Sequence, residues 1–89
     1  MSRNIRKARL ATYRQTDPDE FIGLLVHDVR GPLSGIISAT RLMQTLLDED
    51  EPPTADQFRE LSDIIIKATE DMRAVLDAAI DYDKSQRKS

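Results

Sequence analysis

The chain changes direction at residues 48–57, DEDEPPTADQ, and this stretch decides its fold. Its four consecutive acidic residues repel one another and oppose the negative C-terminal end of a helix dipole. Pro52 and Pro53 cannot continue a helix. Thr54 and Gln57 then have the spacing of a capping box, which begins a new helix. The stretch therefore predicts a short connection between two helices.

The segment before this connection has the pattern of a long amphipathic helix over about residues 18–50. Asp17 is placed to cap it, Pro18 suits the first helical position, and Glu20 completes a capping-box spacing. Apolar residues then recur mostly at steps of three and four, which is the spacing of a helix and not of a strand. They are Ile22, Leu25, Val29, Leu33, Ile36, Met43 and Leu47, widened by Phe21, Leu24 and Leu46.

The segment after the connection predicts a second helix over about residues 55–83. Its apolar residues alternate in steps of three and four, the heptad spacing of a helical bundle: Phe58, Leu61, Ile65, Ala68, Met72, Val75 and Ala79, flanked by Ile64, Ile66, Leu76 and Ile80. A short loop makes the two helices an antiparallel hairpin. Two helices cannot cover apolar faces this wide, so we expect an all-α hairpin that dimerises into a four-helix bundle, a homodimer.

Composition and charge limit the function classes. The 89 residues suffice for one small domain, and without cysteine and with one histidine they offer neither a disulfide nor a thiolate zinc site, so no metal site is predicted. No segment approaches the roughly 20 apolar residues of a membrane span, which favours a cytoplasmic protein. Residues 1–16 carry five basic and no acidic residues and are interpreted as a basic linker, and residues 84–89 as a basic tail. All 16 acidic residues lie in 17–83, where they would repel nucleic acid.

The only histidine, His27, is predicted to face solvent. If the apolar face of the first helix is centred on Val29, His27 lies about 200° around the helix from it. The three glycines of the chain lie four residues before, four after and eight after the histidine, and so share its face: Gly23, Gly31 and Gly35, with Ser34 beside them. Interior glycines weaken a helix. We interpret them as an access face for another protein's active site, and close packing of helices is the structural alternative.

The neighbours of His27 suit phosphoryl chemistry. An exposed neutral imidazole is a nucleophile, and Asp28 can accept its proton or hold one tautomer. Pro32 lacks a backbone N–H and clashes with the carbonyl of Asp28, which predicts a bend or hinge one turn beyond the histidine.

The run His27-Asp28-Val29-Arg30-Gly31-Pro32-Leu33 resembles the phosphoacceptor box of sensor histidine kinases, H-[E/D]-x-x-x-P-L. The resemblance covers residues 17–83 and is to the dimerisation and histidine phosphotransfer domain (DHp, HisKA-type). It implies that His27 is the phosphoacceptor, Asp28 its acid/base partner and Pro32 the kink, with Arg30 and Ser34 as possible partner contacts.

The same resemblance implies the partners. A separate ATP-binding kinase domain would phosphorylate His27, and that domain rather than this chain would hold ATP and Mg²⁺, so no cofactor is expected here. The phosphoryl group would pass to an aspartate on the receiver domain of a response regulator. The chain would thus be part of a histidine protein kinase in a two-component phosphorelay.

The sequence departs from the family pattern in two ways. Gly31 stands where the family often has the Thr or Asn that positions water for phosphatase activity, so we expect that activity to be weak or absent. No glycine follows Gly35, so the Gly-rich nucleotide-binding boxes are missing and the chain is expected to be an excised domain or a complete stand-alone protein. The alternatives are therefore a stand-alone histidine phosphotransfer protein, and a purely structural dimerising hairpin.

Overall fold

A computed structural model describes residues 2–87, with side chains described from residue 4. Over this range the chain forms three helices and no strand: α1 (Ser2–Gln15), α2 (Pro18–Asp48) and α3 (Ala55–Arg87). α2 and α3 pack as a hairpin, α1 packs against α3, and the molecule measures 60 × 22 × 16 Å. The predicted all-α helical hairpin is confirmed. No helix within residues 2–87 combines the length and the apolar character needed to cross a bilayer.

The connection between α2 and α3 is built as the sequence predicts. The backbone N–H of Thr54 donates to Gln57 Oε1 at 2.9 Å, and the backbone N–H of Gln57 donates to Thr54 Oγ1 at 3.1 Å. This reciprocal pair satisfies two N–H groups at the start of α3, which is the role of a capping box. α2 ends at Asp48, two residues before the predicted boundary, and α3 continues to Arg87 through part of the predicted tail. Lys88 lies outside the described residues.

The start of α2 differs from the prediction at its cap. Pro18 occupies the first turn as expected, but the side chain of Asp17 makes no capping hydrogen bond. The backbone carbonyl of Asp17 instead accepts from the N–H of Glu20 at 2.9 Å. Main-chain bonding therefore closes this turn, and the acidic side chains contribute only through their favourable charge near the helix N-terminus.

The basic segment differs most from the prediction, because Ser2–Gln15 of the interpreted linker form the helix α1. The Tyr13 side chain is fully buried there, with its ring edge-on to Phe21 at a centroid distance of 5.1 Å. Arg6, Lys7 and Arg14 are exposed on the outside of α1, where Arg6 donates to Asp81 at 2.8 and 3.0 Å. The high positive charge of this segment was a misleading signal, because an amphipathic helix can carry many charges on its outer face and still bury one aromatic residue.

The apolar residues of α3 form two rows at seven-residue spacing, one through Leu61 and one through Phe58, and only the first row is buried. Leu61, Ala68 and Val75 are buried as predicted, whereas Phe58 on the other row is 53% exposed. The apolar face of α2 is only partly where it was predicted: Leu25, Val29, Ile36 and Met43 are half-buried, and the buried face is shifted toward the side that carries Phe21 and Leu24. Asp28 and Ala39 are its buried residues, while the residues Ile22, Leu33 and Leu47 of the predicted stripe are exposed. The apolar stripe of α2 is too wide to be covered by α3 alone. Beyond Pro32, α2 turns its small residues Gly35 and Ala39 toward the interior of the hairpin.

Candidate functional site

His27 lies on the outer face of α2, in the second half of the third turn from Pro18. Its side chain is 83% exposed, so the predicted exposure is confirmed. Arg30 and Ser34 are exposed as well. The helix therefore holds the imidazole in open solvent, where a second protein can reach it.

Asp28 points the other way. One residue further along α2 turns the side chain by about 100°, and the Asp28 side chain is only 1% exposed. Its Oδ2 accepts a hydrogen bond from the Tyr13 hydroxyl at 2.8 Å. Its Oδ1 lies 3.4 Å from Arg9 Nη1 and 3.4 Å from His27 Nδ1. A buried carboxylate therefore connects the exposed imidazole to α1.

The α1 side chains explain how a carboxylate is tolerated in this position. A buried charge is costly unless it is paired and hydrogen-bonded, and here the Tyr13 hydroxyl and the Arg9 guanidinium supply both. Burial raises the pKa of the Tyr13 phenol, and the hydrogen bond and negative charge of Asp28 raise it further, against a smaller opposite effect of Arg9. The phenol thus stays protonated near neutral pH and acts as a permanent donor to Asp28.

The contact between His27 and Asp28 distinguishes the two imidazole nitrogens. Nδ1 faces Oδ1 of the carboxylate, at the long end of hydrogen-bond distance. A proton on Nδ1 can be donated to Asp28, which leaves the lone pair on Nε2. The arrangement favours nucleophilic attack by Nε2 from the solvent side.

The glycines do not all lie around the histidine. A Cβ added at Gly23 or at Gly31 would meet no other atom within 4 Å, so both leave open space beside His27. A Cβ at Gly35 would lie 3.8 Å from the Cβ of Ala68 on α3. Gly35 therefore belongs to the contact between α2 and α3, as in the packing alternative, and is not part of an open access face.

The site has no metal-binding arrangement. In the range 2–87, His, Asp and Glu side chains form no group of three or more that could hold a metal ion.

A comparison with protein families matches residues 19–88 to the model described as "His Kinase A (phospho-acceptor) domain". The chain belongs to this family. Comparisons with curated proteins and with solved structures give no match. The family supports a phosphoacceptor and dimerisation role in a two-component sensor histidine kinase, and the whole box from His27 to Leu33 lies inside the matched residues.

Pro32 of this phospho-acceptor domain lies inside α2, which continues through it from Pro18 to Asp48. Because proline has no N–H, the carbonyl of Asp28 lacks its usual helical donor. Pro32 also borders an open cleft between the three helices, together with Ile5, Arg9, Asp28 and Val75. The predicted bend and hinge role of Pro32 stay predictions.

Two residues of the site were missed from the sequence, Tyr13 and Arg9, since both lie in the segment interpreted as a linker. One signal points to them. Asp28 is seven residues after Phe21 and three after Leu25, which places an acid on the apolar side of α2. A carboxylate on such a face requires buried partners. Residues 1–16 contain basic and tyrosine side chains, and a short turn before Pro18 would let this segment fold back to place them beside Asp28.

Proposed function

We propose that His27 is the phosphoacceptor of a two-component sensor histidine kinase, phosphorylated by a separate ATP-binding domain and donating to an aspartate of a response regulator. One observation supports this most directly: an exposed imidazole whose Nδ1 faces a buried carboxylate at 3.4 Å. A purely structural hairpin has no need for this pairing of an exposed nucleophile with a costly buried charge. Membership of the phospho-acceptor family is the second support.

The phosphorylation step uses both nitrogens of His27. Nε2 attacks the γ-phosphorus of ATP in line, the new P–N bond forms, and the P–O bond to ADP breaks with its electron pair on the leaving oxygen. The imidazole thereby becomes positively charged with its proton on Nδ1. Asp28 stabilises that charge and can accept the proton, which is its proposed acid/base role. ATP and Mg²⁺ would be bound by the separate kinase domain.

The second step returns the imidazole to its starting state. A carboxylate oxygen of the regulator's aspartate attacks the phosphorus, a P–O bond forms, and the P–N bond breaks with its electron pair on Nε2. A proton that Asp28 has accepted returns to Nδ1 in this step, so the imidazole leaves neutral. The receiver domain must approach Nε2 closely for this in-line transfer. Gly23 and Gly31, one turn on either side of His27, leave the backbone uncovered where such a domain would dock. Arg30 and Ser34 are exposed beside them as possible contacts.

The proposed functional unit is a homodimer. Eleven large hydrophobic side chains of the described chain are exposed, among them Ile22 and Leu33 on α2 and Phe58 and Leu76 on α3. The exposed apolar side chains of α2 lie mostly on a face about 100° or more around the helix from His27. A second copy can therefore cover this face without covering the imidazole. A four-helix bundle of two hairpins would bury this surface.

The test is transfer of label to His27. The full chain is incubated with the ATP-binding domain of a sensor histidine kinase and γ-labelled ATP, and in parallel with phosphoramidate as a small phosphoryl donor. We expect acid-labile, base-stable label on the wild type and none on His27→Gln, with circular dichroism showing that the variant keeps its helices. Label from ATP that persists in His27→Gln, or a folded wild type that is not phosphorylated on His27 by phosphoramidate, would contradict the proposal.

A further inference from the structure

We infer that Tyr13 of α1 is a positioning residue for His27, acting through Asp28, so that docked α1 is part of the phosphoacceptor site. The inference rests on the proposed function of His27. It goes beyond the family, since Tyr13 and Arg9 precede the matched residues 19–88. It is carried by three contacts on one buried carboxylate: Tyr13 on Oδ2, and Arg9 and His27 on Oδ1.

The Tyr13 bond fixes the orientation of the carboxylate. The carboxyl group of an aspartate rotates broadly about its last torsion, so a neighbouring imidazole alone would not hold one oxygen in place. At 2.8 Å the Tyr13 hydroxyl is a close donor to Oδ2, and a hydrogen bond to a charged acceptor is stronger than a neutral one. With Oδ2 held on the α1 side, Oδ1 is directed outward to His27 Nδ1.

The Tyr13 hydroxyl is itself held in place. Its ring packs edge-on against Phe21, at 5.1 Å, and against Tyr82, at 6.4 Å between centroids. Both the ring and the hydroxyl therefore have little freedom, unlike a donor on the surface. Three aromatic rings from the three helices meet at this point, so the position of the hydroxyl depends on how α1 sits on the hairpin.

Side-chain bonds on the outer surface hold α1 on α3. The guanidinium of Arg6 donates to both carboxylate oxygens of Asp81, and Arg14 Nη2 donates to Ser85 Oγ at 3.4 Å. Arg9 places a positive charge 3.4 Å from Oδ1 of Asp28. Docking of α1 thus delivers one donor and one charge to Asp28, and through Asp28 sets the proton position on the imidazole.

The consequence for His27 is chemical. A carboxylate facing Nδ1 favours the tautomer with its proton on Nδ1, which places the lone pair on the exposed Nε2. Without the Tyr13 hydroxyl, Oδ2 loses its donor, and the carboxylate can rotate so that Oδ1 stays near Arg9 but moves away from His27 Nδ1. We expect the Nδ1–H tautomer to become less populated and the attack by Nε2 to become slower.

The experiment compares Tyr13→Phe with Tyr82→Phe in the full chain. Tyr13→Phe keeps the ring in the core and removes only the hydroxyl, while Tyr82→Phe removes a hydroxyl from the same aromatic cluster and leaves the Tyr13–Asp28 bond intact. The rate of His27 phosphorylation by phosphoramidate is measured, in which the donor's P–N bond breaks, ammonia leaves, and a P–N bond to Nε2 forms. Two-bond ¹H–¹⁵N spectra of the imidazole report its tautomer.

We expect Tyr13→Phe to lower the rate about 3- to 10-fold, the loss that corresponds to one hydrogen bond, and to shift the tautomer toward Nε2–H. Tyr82→Phe should change neither. In an Asp28→Asn background, Tyr13→Phe should have no further effect, because Tyr13 acts through that carboxylate. As a control, thermal unfolding of each variant is measured, and each should show a cooperative transition from a helical state.

Several outcomes would overturn the inference. These are an unchanged or faster rate in Tyr13→Phe, an equal loss in Tyr82→Phe, or a wild-type imidazole that is mainly the Nε2–H tautomer. The last needs no variant. If the wild type is labelled on His27 and Tyr13→Phe behaves identically, only the positioning role fails. If the wild type takes no label on His27, the proposed function fails and the inference with it.

Discussion

The two ends of the molecule differ in how completely one chain can build a core. At the histidine end, which comprises residues 4–34 and 70–87, α1 joins the hairpin and the side chains of Tyr13, Ala78 and Tyr82 are buried together. At the loop end, residues 35–69, only α2 and α3 meet, and Phe58 remains about half exposed. The two ends differ because a third helix, α1, packs only at the histidine end. Both ends leave apolar side chains exposed, such as Leu33 and Phe58. Two helices bury only aliphatic side chains between them, whereas three can also enclose an aromatic cluster and a carboxylate.

The largest expected effect on the free energy of unfolding comes from a substitution at the histidine end. Tyr13→Ala should lower the free energy of unfolding by about 3–5 kcal/mol, the range for removing a buried aromatic ring. The buried carboxylate of Asp28 also loses its donor. Denaturant unfolding monitored by circular dichroism measures the change. Tyr13→Phe is the control, and a loss for Tyr13→Ala no greater than for Tyr13→Phe would show that the three-helix core is not formed.

At the loop end we expect the main effect on association. Phe58→Glu should raise the dissociation constant of the dimer about tenfold or more, because a charge would replace an apolar side chain in the proposed interface. Sedimentation at several concentrations measures it. Arg59→Gln is the matched control, since it makes the same change in net charge at an adjacent side chain that is 74% exposed. Equal behaviour of the two variants would argue against a second copy covering Phe58.

Gly31 offers a smaller effect at the histidine end. Gly31→Ala should stabilise α2 by about 0.5–1 kcal/mol, the difference in helix propensity between the two residues. The added Cβ meets no atom within 4 Å. Gly23→Ala, which is equally open, should behave alike in thermal unfolding. A destabilised Gly31→Ala would mean that a second copy or another segment packs against this face.

The docking of α1 should weaken in acid. The hydrogen bond from Arg6 holds the pKa of Asp81 below its ordinary value of 3.8, against an opposite effect of desolvation and with a smaller contribution from the charge of Arg6. A depressed pKa in the folded state stabilises it above the unfolded pKa, and this contribution is lost as the pH falls through the folded pKa. Near-ultraviolet circular dichroism of the tyrosines should therefore change below about pH 4. Asp81→Asn should show a smaller change over that range, and an identical titration would contradict the assignment.

The smallest expected effect concerns phosphatase activity. With no side chain at Gly31 to position water, dephosphorylation of a response regulator by this route should be weak, and Gly31→Asn should not lower it. Release of phosphate from a phosphorylated receiver domain is the measurement. A wild-type rate comparable to those of phosphatase-competent members of the family would refute the expectation.

Local signals in the sequence determined the hairpin. The turn at residues 48–57, the capping box of Thr54 and Gln57, and the heptad positions Leu61, Ala68 and Val75 are all where the pattern predicts them. The exposure of His27 followed from the same argument. Each of these depends on neighbours within a few residues, because helix period and capping are short-range properties.

Tertiary structure decided the rest. Which edge of the broad α2 stripe turns inward, whether Gly35 faces solvent or Ala68, and whether residues 4–15 pack on α3 all depend on contacts between distant segments. The surroundings of Asp28 are the clearest case. The sequence placed a carboxylate beside the histidine, but only packing of α1 brings Tyr13 to its other oxygen. The physical reason is that a buried charge is stable only where its partners meet, and here those partners come from separate helices.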